Sequence, residues 1–333
     1  MIDVHTHVVP PGLPFGSFPG DQWPRVEVDG DAGNVFVGDQ LFRTVRSVSW
    51  DLEARAADMD AHRVARQVLS PMPELFCYWA DGSPAADYCR AMNGWLADAV
   101  KEGGGRFDAF GIVPMQAPET AVAMLDELAA AGLRGVELGS NVDGVPLHDP
   151  RYADVFAAAE RLGLAVFVHA FHPHLFESFS GPPAASGVTF PNEIGFAAGG
   201  LVAEGVLHRH PSLRVCASHG AGSLGLLLPL LDRMWEFDPA FKERLPEQPS
   251  ALARRLFVDL LVFAPYALTF VLDVLGVDRV VVGSDYPFMP DPPGAILENM
   301  TRLSKHDLER VRTQNALALL GETETYASGE DTQ

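Results

Sequence analysis

Cysteine is scarce: Cys77, Cys89 and Cys216 are the only three in a chain of 333 residues, and none is in CxxC spacing. An odd, unspaced set argues against a disulfide framework and fits a reducing compartment. Basic residues are also few, 24 Lys plus Arg against 44 Asp plus Glu, for a formal net charge of −20. So acidic a balance argues against a nucleic-acid binder, because phosphate affinity rests on clustered cations. Long apolar runs are missing too. Gly222 to Leu231 and Ala264 to Leu275 fall short of the roughly 20 residues a membrane span needs, so no membrane partner is expected. Met1 leads straight into Ile2-Asp3-Val4-His5 without a basic, then apolar, leader, so a cytoplasmic location is expected.

What is present is the composition of a globular protein, 47% hydrophobic and 20% charged. Eight short apolar runs recur: Ile2 to His5, Arg66 to Ser70, Phe107 to Val113, Gly135 to Leu138, Ala165 to His169, Arg214 to Ser218, Leu256 to Leu261 and Arg279 to Gly283. Several are almost unbroken in Val, Ile, Leu or Phe, as strands covered on both faces of a parallel sheet are. Helical spacing appears between them at Asp51 to His62, Pro84 to Glu102, Pro118 to Ala131, Pro150 to Leu162 and Gly195 to His208. The expectation is an α/β fold, a (β/α)8 TIM barrel over residues 1–321, with a polar tail at 322–333. Residues 10–50 fit neither period and read as a long loop or small excursion; His172 to Asn192 reads as a second irregular stretch. Asn192-Glu193 would then open the following helix.

Reactive groups of such a barrel gather at the carboxyl ends of the strands. The first run ends in His5-Thr6-His7, the fifth in His169, the sixth reaches His219 and the eighth reaches Asp285. Residues two apart in a strand share a face, so His5 and His7 can reach one point. With His169 and Asp285 they form a donor set suited to a borderline-soft divalent cation such as Zn²⁺. His172 and His174, in the loop over this mouth, are candidate substrate contacts. His62, His148, His208, His210 and His306 lie off the mouth and receive no catalytic role.

The chain resembles the aminocarboxymuconate-semialdehyde decarboxylase branch of the amidohydrolase superfamily. The resemblance runs through Ile2-Asp3-Val4-His5-Thr6-His7, Phe42-Arg43, Trp50-Asp51, Pro114-Met115-Gln116-Ala117-Pro118-Glu119, Cys216-Ala217-Ser218-His219-Gly220 and Gly283-Ser284-Asp285-Tyr286-Pro287-Phe288. It implies one divalent metal, usually zinc, held by His5, His7, His169 and Asp285. It implies His219 as the proton-handling residue, Arg43 as the residue that holds a substrate carboxylate, and a homodimer. The activity implied is non-oxidative decarboxylation of a small unsaturated or aromatic acid; hydrolysis of a lactone or amide would use the same metal-bound water.

Departures from the family bear on the substrate. Pro-Trp-Asp after the third histidine is replaced by Ala170-Phe171-His172. The family's pocket tryptophan has no match in Ser186-Gly187-Val188-Thr189-Phe190-Pro191, where Phe190 is the candidate contact. Leu230, Glu236 and Asp238 stand near the places of family basic residues. A less anionic substrate is therefore expected.

Overall fold

The computed structural model describes residues 1–322 apart from 17, 19, 21 and 174. Eight parallel strands follow one another around a single sheet: β1 (Ile2–Val8), β2 (Arg66–Pro71), β3 (Phe107–Gly111), β4 (Gly135–Gly139), β5 (Ala165–His169), β6 (Val215–Ala217), β7 (Phe257–Asp259) and β8 (Val280–Val281). Each coincides with one of the eight expected runs. The backbone closes the ring: Val4 N–H donates to the Val282 carbonyl at 2.9 Å and Asp285 N–H to the His5 carbonyl at 2.8 Å. Ser284 Oγ adds a 2.6 Å hydrogen bond to Asp3 Oδ2 across the same seam. The fold is a TIM barrel.

Phe110 on β3 and Phe167 on β5 stack at 5.8 Å although β4 lies between their strands. That contact requires both rings to point inside the barrel. With Ile2, Val4, Phe257 and Val281 they form one buried cluster, completed from below by Ala316 and Leu319 of α8 (Asn315–Leu319). A larger cluster joins the outer strand faces to the helices. These are α1 (Leu52–Ala61), α2 (Gly82–Glu102), α3 (Pro118–Ala130), α4 (Ala153–Leu162), α5 (Pro182–Ala203), α6 (Leu224–Phe237) and α7 (Pro265–Leu275). Their ends follow local chemistry. Asp51 caps α1 by accepting from Glu53 N–H at 2.9 Å and Ala54 N–H at 3.0 Å, Pro118 occupies the first turn of α3, and Gly163 ends α4 at φ 65°.

Two stretches depart from expectation. Residues 10–50 hold a three-stranded antiparallel sheet, Arg25–Asp29, Ala32–Val37 and Gln40–Arg46. Its strands are mostly solvated, so the contrast between buried and exposed positions that reveals a strand is weak. The irregular stretch ends early, because α5 begins at Pro182 and runs straight through Asn192-Glu193, with Pro191 inside it. Ser186, Gly187 and Thr189 are weak helix formers and Pro191 a breaker, and tertiary packing overrides them. The Pro191 carbonyl accepts from Ser223 N–H at 2.9 Å.

Candidate metal centre and its cavity

β1 is buried along its whole length, and a register shift between Asp3 and Thr6 turns both His5 and His7 into the barrel mouth. Their Nε2 atoms lie 3.2 Å apart, and Asp285 Oδ1 lies 3.2 Å from His7 Nε2 and 3.8 Å from His5 Nε2. One donor atom from each of His5, His7, His169 and Asp285 falls within 4.8 Å of the others.

The opposite ring nitrogens decide which way these imidazoles face. His5 Nδ1 donates to Asp259 Oδ2 at 2.6 Å, His7 Nδ1 to the Pro71 carbonyl at 3.3 Å, and His169 Nδ1 to the Ala170 carbonyl at 2.8 Å. Each Nε2 is thereby left as a lone pair aimed at the centre. The Nε2 of His169 is buried and makes no hydrogen bond. Burial holds His5 far below the usual imidazole range and pushes His7 down to about 3 and His169 to about 4, so all three are neutral ligands. Ligand atoms about 2.1 Å from a tetrahedral zinc ion lie roughly 3.4 Å apart, close to the spacings found. The residues fit a divalent cation.

Asp259, at the end of β7, organises the surroundings. Beyond its bond to His5 it accepts from Gly220 N–H at 2.9 Å and Leu261 N–H at 3.1 Å. Gly283 permits the approach: a Cβ there would lie 2.6 Å from Asp259 Cβ and 2.8 Å from His5 Cβ. Backbone strain concentrates here, with His219 at φ 52° and Asp285 at φ 57°. The His219 ring lies 5.6 Å from His5 and 5.5 Å from His169, its Nε2 is buried without a partner, and burial lowers its pKa to about 3.

A cavity of about 790 Å³ opens onto His219 and Asp285. Arg43, from the last strand of the small sheet, lines it with its guanidinium 4.3 Å over the Phe288 ring. Phe288 in turn stacks on His7 at 5.6 Å. Phe190 lines the same cavity, 6.1 Å from the His219 ring.

Residues 2–321 match the amidohydrolase family model. The chain belongs to the amidohydrolase family. Within that family it is 31% identical to 2-amino-3-carboxymuconate-6-semialdehyde decarboxylase of Dictyostelium discoideum, over 96% of this chain and 91% of the relative. It is 28% identical to gamma-resorcylate decarboxylase of Rhodococcus jostii, over 81% of this chain and 90% of the relative. Among solved structures, Metarhizium anisopliae IDCase superposes with a TM-score of 0.82 at 21% identity, covering 96% of each chain. The dihydroxybenzoic acid decarboxylase of Polaromonas, solved with manganese and 2-nitroresorcinol, superposes at 0.75 with 19% identity and 96% coverage of each.

This amidohydrolase brings His5, His7, His169, Asp285, His219, Arg43 and Phe190 to one mouth. His172 stands apart: it stacks on Phe171 at 4.0 Å and lines a neighbouring cavity of about 830 Å³. His174 lies outside the described residues. Three acids at the site escaped sequence reasoning: Asp259, Glu137 and Glu74. Glu137 is fully buried and lies 3.9 Å from His7 Nδ1; burial holds its carboxyl far above the usual range, against a lowering contribution from Ser70. Glu74 is raised by burial as well, and feels both Arg43 and Asp285. The signal for Asp259 and Glu137 was available: each is a charged residue inside an otherwise apolar strand run.

Proposed function

We propose that this amidohydrolase is a metal-dependent, non-oxidative decarboxylase of an aromatic or unsaturated carboxylic acid. The observation that carries it is one cavity lined by the Arg43 guanidinium, His219 and Asp285, the last belonging to a cluster with the buried His5, His7 and His169. Relatives named as decarboxylases favour this reaction over the hydrolytic alternative. His5, His7, His169 and Asp285 would hold the cation, and Zn²⁺ suits their nitrogen-rich set. When bound, the cation supplies Lewis-acid stabilisation of negative charge.

Arg43 binds the substrate carboxylate through its planar fork, and Phe288 fixes the guanidinium plane from below. The bond from carbon to carboxylate breaks, CO₂ leaves, and the electron pair remains on carbon. His219, neutral and without a hydrogen bond at Nε2, takes a proton from the substrate or water and returns it to that carbon. Asp259 is the anion that steadies His219 when it carries the proton. Phe190 and Phe288 exclude water from the breaking bond.

A homodimer is part of the proposal, supported by α6, which leaves Leu226 72%, Leu230 65% and Phe237 66% exposed. So is a cytosolic location, supported by three buried free thiols; among the described residues no helix is long and apolar enough to cross a membrane. The test is CO₂ release from a panel of hydroxybenzoic and muconic acids by zinc-loaded protein, with elemental analysis in parallel. Turnover that needs stoichiometric metal and falls in Arg43→Ala through a raised KM supports the reading. Metal-replete protein that turns over none of the panel would remove it.

A further inference from the structure

The cavity is larger and more apolar than one ring with a carboxylate needs. At about 790 Å³ it lies in the upper part of the roughly 300–1,000 Å³ range of pockets that bury drug-sized ligands. Arg43, Arg46, His219 and Asp285 supply polar lining, and Phe190, Phe263 and Met289 are among its apolar lining. Ser186 and Gly187 of α5 also line it, on an exposed part of the helix where a Cβ on Gly187 meets nothing within 4 Å.

Gly187 lies within a helix and not in the left-handed region, so no positive φ requires glycine there, although it stands four residues before Pro191, whose ring crowds the carbonyl at that position. Gly195 and Gly200 of α5 do have a packing reason. A Cβ on Gly195 would lie 2.8 Å from Ser223 N, and one on Gly200 2.8 Å from His148 Cε1. Glycine is also among the weakest helix formers, so its presence at 187 works against local stability. What it contributes is room.

Resting on the decarboxylase reading, we infer that the substrate acid carries a bulky apolar substituent, an alkyl chain or second ring, seated against Ser186 and Gly187. Apolar burial in such a space should raise affinity about three- to fourfold for each added methylene until the wall is reached.

The experiment uses ortho-hydroxybenzoic acids bearing hydrogen, methyl, propyl or pentyl on the ring, assayed for CO₂ release with zinc-loaded protein. Binding of the matching nitro compounds, which have no carboxylate to lose, is measured by calorimetry. We expect kcat/KM and affinity to climb along the series. In Gly187→Leu the pentyl-to-hydrogen ratio should fall at least tenfold, and in Gly187→Ala by a smaller factor in the same direction. A series that is flat or best at hydrogen, or a ratio that Gly187→Leu leaves alone, overturns the inference while the reaction stands. Chain-length-dependent binding of the nitro compounds without CO₂ from any acid keeps the inference and overturns the reaction.

Discussion

His5 and His7 have the same spacing as His208 and His210, yet the two pairs end in opposite situations. The first pair sits on a strand, where positions two apart share a face, and the Nε2 atoms converge to 3.2 Å. The second closes the short helix Val206–Arg209, where positions two apart diverge around the axis. His208 Nδ1 pairs with Glu247 Oε1 at 2.8 Å and His210 Nδ1 with Glu160 Oε2 at 2.9 Å, two carboxylates on different elements. Both patterns engage Nδ1 with an acceptor. Only in the barrel does that leave the other nitrogens facing one another, together with a third imidazole and a carboxylate. The lesson is that HxH acquires chemical meaning from the period of the element beneath it.

The contrast can be broken most severely at the ligands. His5→Ala or His169→Ala should abolish stoichiometric zinc and lower CO₂ release by about a thousandfold or more, and a chelator should do the same reversibly to the parent protein. Gly283→Ala comes next, because its new methyl group would press His5 and Asp259 apart. Zinc occupancy at limiting metal should drop by about 10- to 100-fold, as for other disruptions of ligand support. Asp259→Asn keeps the shape but weakens the grip on His5 Nδ1, and the metal affinity measured by competition with a chromogenic chelator should fall by about tenfold. The smallest effect belongs to the other pair. His208→Ala with His210→Ala removes two partly exposed ion pairs, and denaturant unfolding should register under about 1 kcal/mol with zinc content unchanged.

Legibility in the sequence followed burial. All eight barrel strands could be read because both faces are covered and the runs are nearly uniform, as in Val215–Ala217 or Phe257–Asp259. The convergence of His5, His7, His169 and Asp285 could be read because strand ends meet at the mouth of a parallel barrel. The small sheet over residues 25–46 was opaque, since its strands alternate little between buried and exposed. The true start of α5 was hidden by Ser186, Gly187 and Pro191, residues that speak against a helix that packing nonetheless enforces. Asp259, Glu137 and Glu74 were missed because a carboxylate that supports a ligand has no spacing rule of its own; only its position within a buried element marks it.

The seam that closes the barrel joins β1, the first strand made, to the segment that follows β8, and the same seam carries Asp285 to His5 and His7. The donor set therefore joins residues 280 positions apart or nearly so. A chain still emerging from the ribosome can form the histidine-bearing strands but cannot assemble the fourth donor until nearly all of it has been synthesised. A cation bound there would favour only the fully wound barrel and would draw partly wound intermediates towards it. Scarcity of metal in the cell would consequently appear as a defect in the yield of mature protein, not merely as idle enzyme.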